Sequence, residues 1–360
     1  MRRTLLIAAS TLALMLPVQG ATAPYGLAGA YLAARQATQS YDYDIASAYY
    51  ARAVQLAPDR PDLLERATLV HLALGDVDTA VRFAQTLTQG DSDSSQIANL
   101  VMAIHLGATG DFDTLAQRLD SGISSGPVSS DLLRGWARLG AGDQAGADHA
   151  FDTLAQDSMM RPFALYNKAL ARSVAGNDAG ALATLNTPDL GPLARSNRAI
   201  RLRAELMVRT GDKVGARGLL TPFLTARTPD PAMVALAQHI DAEEALPPSD
   251  ITTVADGMAE VFLTLAEALR SEGDPDFLLL YARAATHLRP DMPEALLFAA
   301  SLLEELGQYN LAVDTYRRVS ATDPLFIEAE IGRAAALRQS NRPDEAIDVL
   351  RALAKQSPDR

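Results

Sequence analysis

The chain contains no cysteine, and this absence removes several classes of protein at once. Without cysteine there is no disulfide framework, no thiolate metal site and no lipidated cysteine anchor. Aromatic residues are also scarce, at 6% of 360 residues with one tryptophan, and three lysines stand against 29 arginines. The net charge of −12, with no aromatic residues interleaved among basic ones, argues against a nucleic-acid ligand. The excess of arginine over lysine favours a bacterial source.

Long apolar runs are missing too, apart from one at the N-terminus. Two arginines precede an apolar run from Leu5 to Leu16, which is too short to cross a bilayer as a helix. A basic start, a short apolar stretch and small residues after Pro17 are typical of a secretory signal peptide. We predict that residues 1–20 form this peptide, that Ala21 begins the mature chain, and that no stable membrane span remains. The expected location is the periplasm or the exterior, and an N-terminal anchor helix is the alternative.

Recognisable catalytic patterns are absent as well. Ser124 lies in a G-x-S-x-G string, but no strand pattern precedes it and Pro127 follows, so it is interpreted as a turn residue. The five histidines are scattered singly, without the H-E-x-x-H spacing of a zinc site. The sequence therefore predicts a protein that is not an enzyme and that needs no cofactor or metal.

The sequence does contain one short signature, a glycine followed by Asp or Asn, at intervals of 32 to 35 residues with one interval of 62. Glycine just past a helix end adopts a left-handed conformation easily, and the next side chain can accept from the free N–H groups of the following helix. Each pair therefore predicts a helix-turn-helix corner, and this period is typical of a solenoid. The corners are Gly75-Asp76, Gly110-Asp111, Gly142-Asp143, Gly176-Asn177, Gly211-Asp212 and Gly273-Asp274, with Gly307 and Asn341 continuing the series.

Small residues recur within each repeat, at the eighth position in all units and twelve residues later in most, where they let two helices approach closely. This pattern resembles the tetratricopeptide repeat (TPR) family, most clearly in Pro293 to Phe326 and in Leu27 to Arg60. Pro222, inside a second helix, departs from the family pattern. The resemblance implies an all-α, right-handed superhelical solenoid of about nine helix-turn-helix repeats.

The repeat frame fails from Thr228 to Thr253, where prolines bracket one helical segment, Ala232 to Leu246. We predict an N-terminal TPR array of about six repeats over residues 21–228, then an irregular helix and linker over 229–258. A C-terminal array of about three repeats follows over 259–360. The irregular segment is either a hinge or a degenerate repeat.

The middle of the chain is basic although the whole is acidic. Residues 161–227 carry 11 basic side chains and 4 acidic ones. Arg198, Arg201 and Arg209 share one face of the first helix of the sixth repeat, because they are separated by about one and two turns. This face predicts a site for an anionic partner. A solvated face paired with neighbouring acids is the alternative.

In TPR proteins the first helices line a concave groove, and their fifth and ninth positions usually meet the ligand. The resemblance puts an apolar strip at these positions, centred on Trp136 and ending against the basic face. Tryptophan, tyrosine and arginine are favoured anchors of interfaces, although burial of Trp136 in the core is the alternative. The predicted partner-binding residues are Leu132, Trp136, Tyr166, Leu170, Arg198, Arg201 and Arg209.

These features together predict a non-enzymatic interaction scaffold or adaptor of the bacterial cell envelope. Its groove is expected to bind a protein or peptide partner, with an acidic segment suggested by the basic face. The alternative is an assembly protein whose solenoid ends self-associate. Ile347, Leu350 and Leu353 follow one face of the last helix, so either the natural chain continues past Arg360, or this face docks onto another molecule, or these residues turn inward.

Overall fold

The computed structural model of the chain describes residues 26–89, 95–126, 128–227, 229–244, 246 and 251–356. These residues form α-helices and one 3₁₀ helix, and no strand occurs among them, so the all-α fold class is confirmed. The predicted signal peptide, residues 1–20, lies outside the described residues. None of the helices in the described part is both long and apolar enough to span a bilayer.

Six helical hairpins make up the N-terminal array. They pair α1 (Leu27–Gln39) with α2 (Tyr43–Leu56), α3 (Pro61–Leu74) with α4 (Val77–Thr88), α5 (Gln96–Thr109) with α6 (Phe112–Asp120), α7 (Ser129–Gly140) with α8 (Gln144–Leu154), α9 (Arg161–Val174) with α10 (Asp178–Leu185), and α11 (Asn197–Arg209) with α12 (Lys213–Leu224). The 3₁₀ helix, Pro188–Arg195, connects α10 to α11.

Three hairpins make up the C-terminal array, after the single helix α13 (Pro231–Asp241). They pair α14 (Val254–Ala268) with α15 (Pro275–Leu288), α16 (Pro293–Glu305) with α17 (Tyr309–Tyr316), and α18 (Phe326–Gln339) with α19 (Pro343–Gln356). The nine hairpins agree with the repeat frame read from the sequence.

The glycine-acid corners form as expected in the N-terminal array. Gly75 has a φ of 93°, and the Asp76 carboxylate accepts from the backbone N–H of Thr79 at 3.2 Å. The next four corners repeat both features. Gly273 is the exception, since its φ is not positive and the Asp274 side chain caps no N–H group. Pro275 begins α15 there, and a proline at the first helical position favours an extended preceding residue and pre-sets the helix without a side-chain cap.

Small residues allow the close approach of helices that the sequence indicates. Ala34 and Ala46 are fully buried between α1 and α2. Gly135 of α7 lies against the ring of Phe151 on α8, which occupies the space that a Cβ atom would need. Pro222 lies inside α12, only two residues before the helix ends at Leu224.

The helix α13 ends five residues before the predicted Leu246, and Glu243 follows in a left-handed conformation with a φ of 55°. Its buried residues Met233, Leu236 and Ile240 pack on the sixth repeat, in a core separate from the main one. No second helix pairs with it in the described part of the chain. Its apolar face is nonetheless fully used, because α11 and α12 cover it.

The C-terminal array folds back onto the N-terminal array instead of extending it. The hairpin α14–α15 packs against four first helices: α14 contacts α5, α7 and α9, and α15 contacts α3 and α5. All ten residues from Gly257 to Ala266 of α14 are buried, so every side of the helix is covered over this stretch. Its wide apolar surface, with Met258, Phe262 and Leu263, belongs in a core, and its one polar stripe contains Glu260 and Thr264. The concave side of the N-terminal array is therefore occupied by the chain's own helices.

Candidate functional site: a filled groove and an open groove

We call the concave surface lined by α3, α5, α7 and α9 the filled groove. Trp136 of α7 is fully buried in it, and its ring fills the place of the missing side chain of Gly257 on α14. The indole Nε1 donates to Asn167 Oδ1 at 2.8 Å, and the ring meets Phe151 edge to face at 6.4 Å between centroids. An indole whose faces are covered and whose N–H is paired is fully accommodated in a core.

A buried polar network joins the filled groove to α14. The Tyr166 hydroxyl donates to Glu260 Oε1 at 3.0 Å, and Arg198 Nε donates to the same oxygen at 2.8 Å. Arg198 also donates through both terminal nitrogens to Glu267, at 2.9 and 2.6 Å. Close by, Arg201 Nη2 pairs with Glu294 at 3.1 Å. Hydrogen bonds in which both groups are charged are the strong ones, so these pairs hold α14 and α16 against α11.

The protonation states within this network follow from burial and from the neighbouring charges. Burial raises the pKa of Tyr166 well above its usual value, and the Glu260 carboxylate raises it further. Burial disfavours the Arg198 charge, but Glu260 and Glu267 outweigh it and hold the pKa of Arg198 well above its usual value. Burial also opposes the Glu294 charge, but Arg201 and Arg198 prevail and lower the pKa of Glu294. Near neutral pH, Arg198 and Glu294 are therefore charged, whereas the Tyr166 hydroxyl keeps its proton and donates a hydrogen bond to Glu260.

The strip predicted to be exposed is covered, because α14 lies over it. Arg209 pairs with Asp178 of α10 at 3.3 Å, so the basic face is matched by acids of the same chain. Binding of an external partner by these residues stays a prediction. In this structure, all seven predicted residues contact other parts of the chain: Leu132, Trp136, Tyr166, Leu170, Arg198, Arg201 and Arg209.

A second concave surface, here called the open groove, lies between α11 and α13 on one side and α16 and α18 on the other. Its volume is about 740 Å³. Its apolar lining includes Ile331, which is 54% exposed, and the half-buried Leu297, Phe298 and Leu325. The polar lining comprises Ser196, Asn197, Arg198, Arg201, Asp230, Glu267, Glu294, Ser301, Tyr316 and Glu328.

The repeat frame could have identified the open groove. Leu297 and Ser301 are the fifth and ninth residues of the eighth repeat, and Ile331 is the fifth residue of the ninth. These are the positions that pointed to Trp136 and Tyr166 in the N-terminal array. The sequence reasoning applied the rule only to the first six repeats, so it missed the surface that is accessible.

The charges exposed in the open groove are mainly negative. Glu328 is exposed and forms no ion pair with any residue that the structure describes. The Glu267 side chain is partly exposed, whereas Arg198 and Arg201 are mostly buried by their own ion pairs. Arg270 lies over the Phe298 ring, 5.4 Å from its centroid, and is paired with Glu305. The groove therefore presents an apolar floor beside unpaired carboxylate oxygens.

The described residues contain no group of three or more His, Cys, Asp or Glu arranged to hold a metal ion. Ser124 lies between α6 and α7, where its Oγ is 3.3 Å from Ser130 Oγ and accepts from the Gly126 N–H at 3.2 Å. These contacts are those of a turn residue, as predicted. The His71 ring packs on Phe83 and pairs through Nδ1 with Asp76 at 3.0 Å, so it has a structural role.

Comparison with known proteins gives one family match. Residues 297–360 match the model of the tetratricopeptide repeat, which covers the two hairpins that form one wall of the open groove. The match to the tetratricopeptide repeat is thus limited to residues 297–360, while helical hairpins occur nine times in the described residues. A search of curated proteins found no match.

Several solved structures are similar to the chain. The TPR domain of P58(IPK) is 16% identical over 91% of this chain and 92% of its own, with a TM-score of 0.27. Yeast Tom70 is 14% identical over 92% of this chain and 85% of its own, with a TM-score of 0.26. A chain of the Cut9-Hcn1 hetero-tetramer of the APC/C is 14% identical over 91% of this chain and 71% of its own, with a TM-score of 0.31.

Proposed function

We propose that this protein is a non-enzymatic scaffold or adaptor of the bacterial cell envelope that binds a protein or peptide segment in the open groove. The observation that supports it most is the apolar floor of Ile331, Leu297 and Phe298, in which Ile331 and Leu297 occupy contact positions of the last two repeats. Apolar side chains exposed in a concave surface usually mark an interaction site. The filled groove is a poorer candidate, since α14 and α15 already occupy it.

The lining of the open groove favours a segment with apolar side chains next to a basic one. An apolar side chain of the partner would pack on Ile331, and a lysine or arginine would pair with the Glu328 carboxylate in the same groove. An acidic partner remains the expectation from the arginine-rich face, but Arg198 and Arg201 are already neutralised by carboxylates of the chain. The two partner types differ in charge, so the affinity of matched peptides distinguishes them.

The experiment is selection of peptides from a random library on the purified mature chain, followed by affinity measurements. We expect enrichment of peptides that combine apolar and basic residues and that bind Ile331→Lys at least tenfold more weakly. Val214→Lys is the matched control, since Val214 is also an exposed aliphatic residue but lies on α12, outside the groove. Equal binding to both variants, or no enrichment, would refute the groove as the binding site. Enrichment of acidic peptides would refute the basic partner.

Location in the envelope rests on the N-terminal sequence and needs its own test. We expect the native protein to be released by osmotic shock and to begin near Ala21. Mass spectrometry of the purified native chain checks this directly, and a chain that retains Met1 would contradict export with cleavage.

A second candidate function is self-association through the end of the C-terminal array. Ile347 and Leu350 of α19 are 45% and 46% exposed. The equivalent residues of the preceding repeat, Val313 and Tyr316, are buried where α17 meets α18. Within the described residues, α19 thus exposes a copy of the surface that joins one repeat to the next. Light scattering after size exclusion should show an oligomer for the wild type and a monomer for the double variant Ile347→Gln, Leu350→Lys. A monomeric wild type would exclude this candidate.

A further inference from the structure

A separate cleft of about 360 Å³ lies on the seam between the two arrays and shares no lining residue with the open groove. The corner between α3 and α4 forms one wall, with Leu74, Gly75 and Val77. Side chains of α15, of α17 and of the turn after α17 form the other wall, among them Arg283 and His287 of α15 and Arg318 of the turn. Any ligand held here would touch both arrays.

Arg283 is the most unusual residue of the cleft, because it is only 5% exposed and pairs with no carboxylate among the described residues. Its Nε donates to the backbone carbonyl of Ala73 at 3.0 Å, and its guanidinium lies against Gly75. Arg198, which is buried to a similar degree by the same folding back, has two carboxylates. Buried charges in proteins are normally paired, since an isolated one is costly.

Arg318 adds a second cation to the same space. Its Nη2 donates to the carbonyls of Thr286 and Pro290 at 3.1 and 3.2 Å, and it too has no carboxylate partner in the part of the chain that the structure describes. Burial, together with the charge of Arg318, lowers the pKa of Arg283 to about 10. The two guanidinium groups therefore repel each other, and a bound anion would relieve this repulsion.

The neighbouring negative groups do not neutralise this pair. Asp314 lines the cleft, but its carboxylate pairs with Arg317 at 3.2 Å. Burial lowers the pKa of His287, and the charge of the nearby Asp78 opposes that shift. The C-terminus of α3 contributes only about half a negative charge. The two arginine charges in the cleft therefore exceed the partial negative charge of the backbone carbonyls that they contact.

We propose that this cleft binds a small oxyanion of the phosphate or sulfate type, held by the guanidinium groups of Arg283 and Arg318. Planar guanidinium groups match the geometry of oxyanions and prefer them to simple halides. The cleft is larger than one such ion, so the oxyanion is either free in solution or the headgroup of a larger molecule such as an anionic lipid. In both cases it bridges α3–α4 of one array and α15–α17 of the other, and it stabilises the folded-back arrangement.

The test measures the melting temperature and the heat of binding of the full mature chain with inorganic phosphate, at constant ionic strength against chloride. We expect saturable binding and a higher melting temperature with phosphate than with chloride, because the ligand binds only the folded chain. Arg318→Gln should abolish both effects. Arg203→Gln is the matched control and should keep both, since Arg203 is also partly buried, donates to the carbonyl of Leu185 and lies outside the cleft.

A second arm distinguishes the two sources of the oxyanion. Vesicles of phosphatidylglycerol and of phosphatidylcholine are compared for retention of the wild-type chain and of Arg318→Gln. Retention on the anionic vesicles that depends on Arg318, without binding of free phosphate, assigns the site to a headgroup. Absence of any Arg318-dependent effect of either ligand, or an equal loss in Arg203→Gln, would overturn the proposal.

Discussion

The filled groove and the open groove are built from the same repeat positions but differ in what faces them. In the filled groove, Trp136 and Tyr166 meet α14 of the same chain, Trp136 against Gly257 and Tyr166 against the Glu260 carboxylate. In the open groove, Ile331 meets solvent, and the acids Glu267 and Glu328 border it. A contact position in a repeat thus locates a residue on the concave surface, while the rest of the fold decides whether that surface is free.

The largest expected effect tests whether the filled groove is core. Trp136→Ala should lower the free energy of unfolding by about 3–5 kcal/mol, because it leaves a cavity beside Gly257 and removes the donor to Asn167 Oδ1. Denaturant titration measures the change, and Trp136→Phe should cost clearly less. A Trp136→Ala variant of unchanged stability would show that α14 does not rest on this ring in solution.

The buried ionic network should give the next largest effect. Glu260→Gln should cost about 1–3 kcal/mol of unfolding free energy, since Tyr166 and Arg198 lose a charged acceptor while Arg198 keeps Glu267. The control is Glu305→Gln, which breaks the exposed pair with Arg270 and should cost about 0–1 kcal/mol. Equal costs for the two variants, measured by the same denaturant titration, would contradict a buried network across the seam.

Low pH should weaken the contact between the two arrays, because Glu294 becomes protonated. Arg201 and Arg198 outweigh burial and lower the pKa of Glu294 below the usual value of a glutamate, so its stabilising contribution is fully present above that usual value. This contribution is lost as the pH falls through the lower pKa of the folded state. Stability measured from neutral pH down to acid should therefore fall more steeply in the wild type than in Glu294→Gln. Parallel curves would remove Glu294 from the seam.

The smallest expected effect on stability concerns Ile331 in the open groove. Ile331→Lys should change the free energy of unfolding by no more than about 0.5 kcal/mol, because the side chain is more than half exposed. Thermal and denaturant unfolding measure it alongside Val214→Lys. A substantial loss of stability would mean that Ile331 is part of the core and that the open groove has no accessible apolar floor.

The repeat architecture could be predicted because its signals are local. A glycine such as Gly75 and the cap at Asp76 act within one turn of the chain, so their spacing reports the corners directly. Gly273 broke the rule because Pro275 starts the next helix by a different local device. The nine hairpins and the break near α13 follow from such signals.

The closing of the N-terminal groove could not be predicted in the same way. The bond from Tyr166 to Glu260 joins residues 94 positions apart, and neither the repeat period nor the charge count encodes which helices meet. The acids that pair with Arg198 and Arg201 lie on α14 and α16, far along the chain, whereas the acid that pairs with Arg209 lies on the neighbouring α10. The signal available in the sequence was the wide apolar surface of α14, which includes Met258, Val261, Phe262, Leu263 and Leu265.

The folded-back hairpin also imposes an order of events on folding. The contact from Arg283 to Ala73 spans 210 residues, so the N-terminal hairpins can form from local contacts long before their concave side is covered. During that interval, the ring of Trp136 and its apolar neighbours face water, and such surfaces are prone to aggregation. We therefore expect the slow, concentration-sensitive step in refolding this chain to be the packing of α14 and α15 into the filled groove, not the formation of any single repeat.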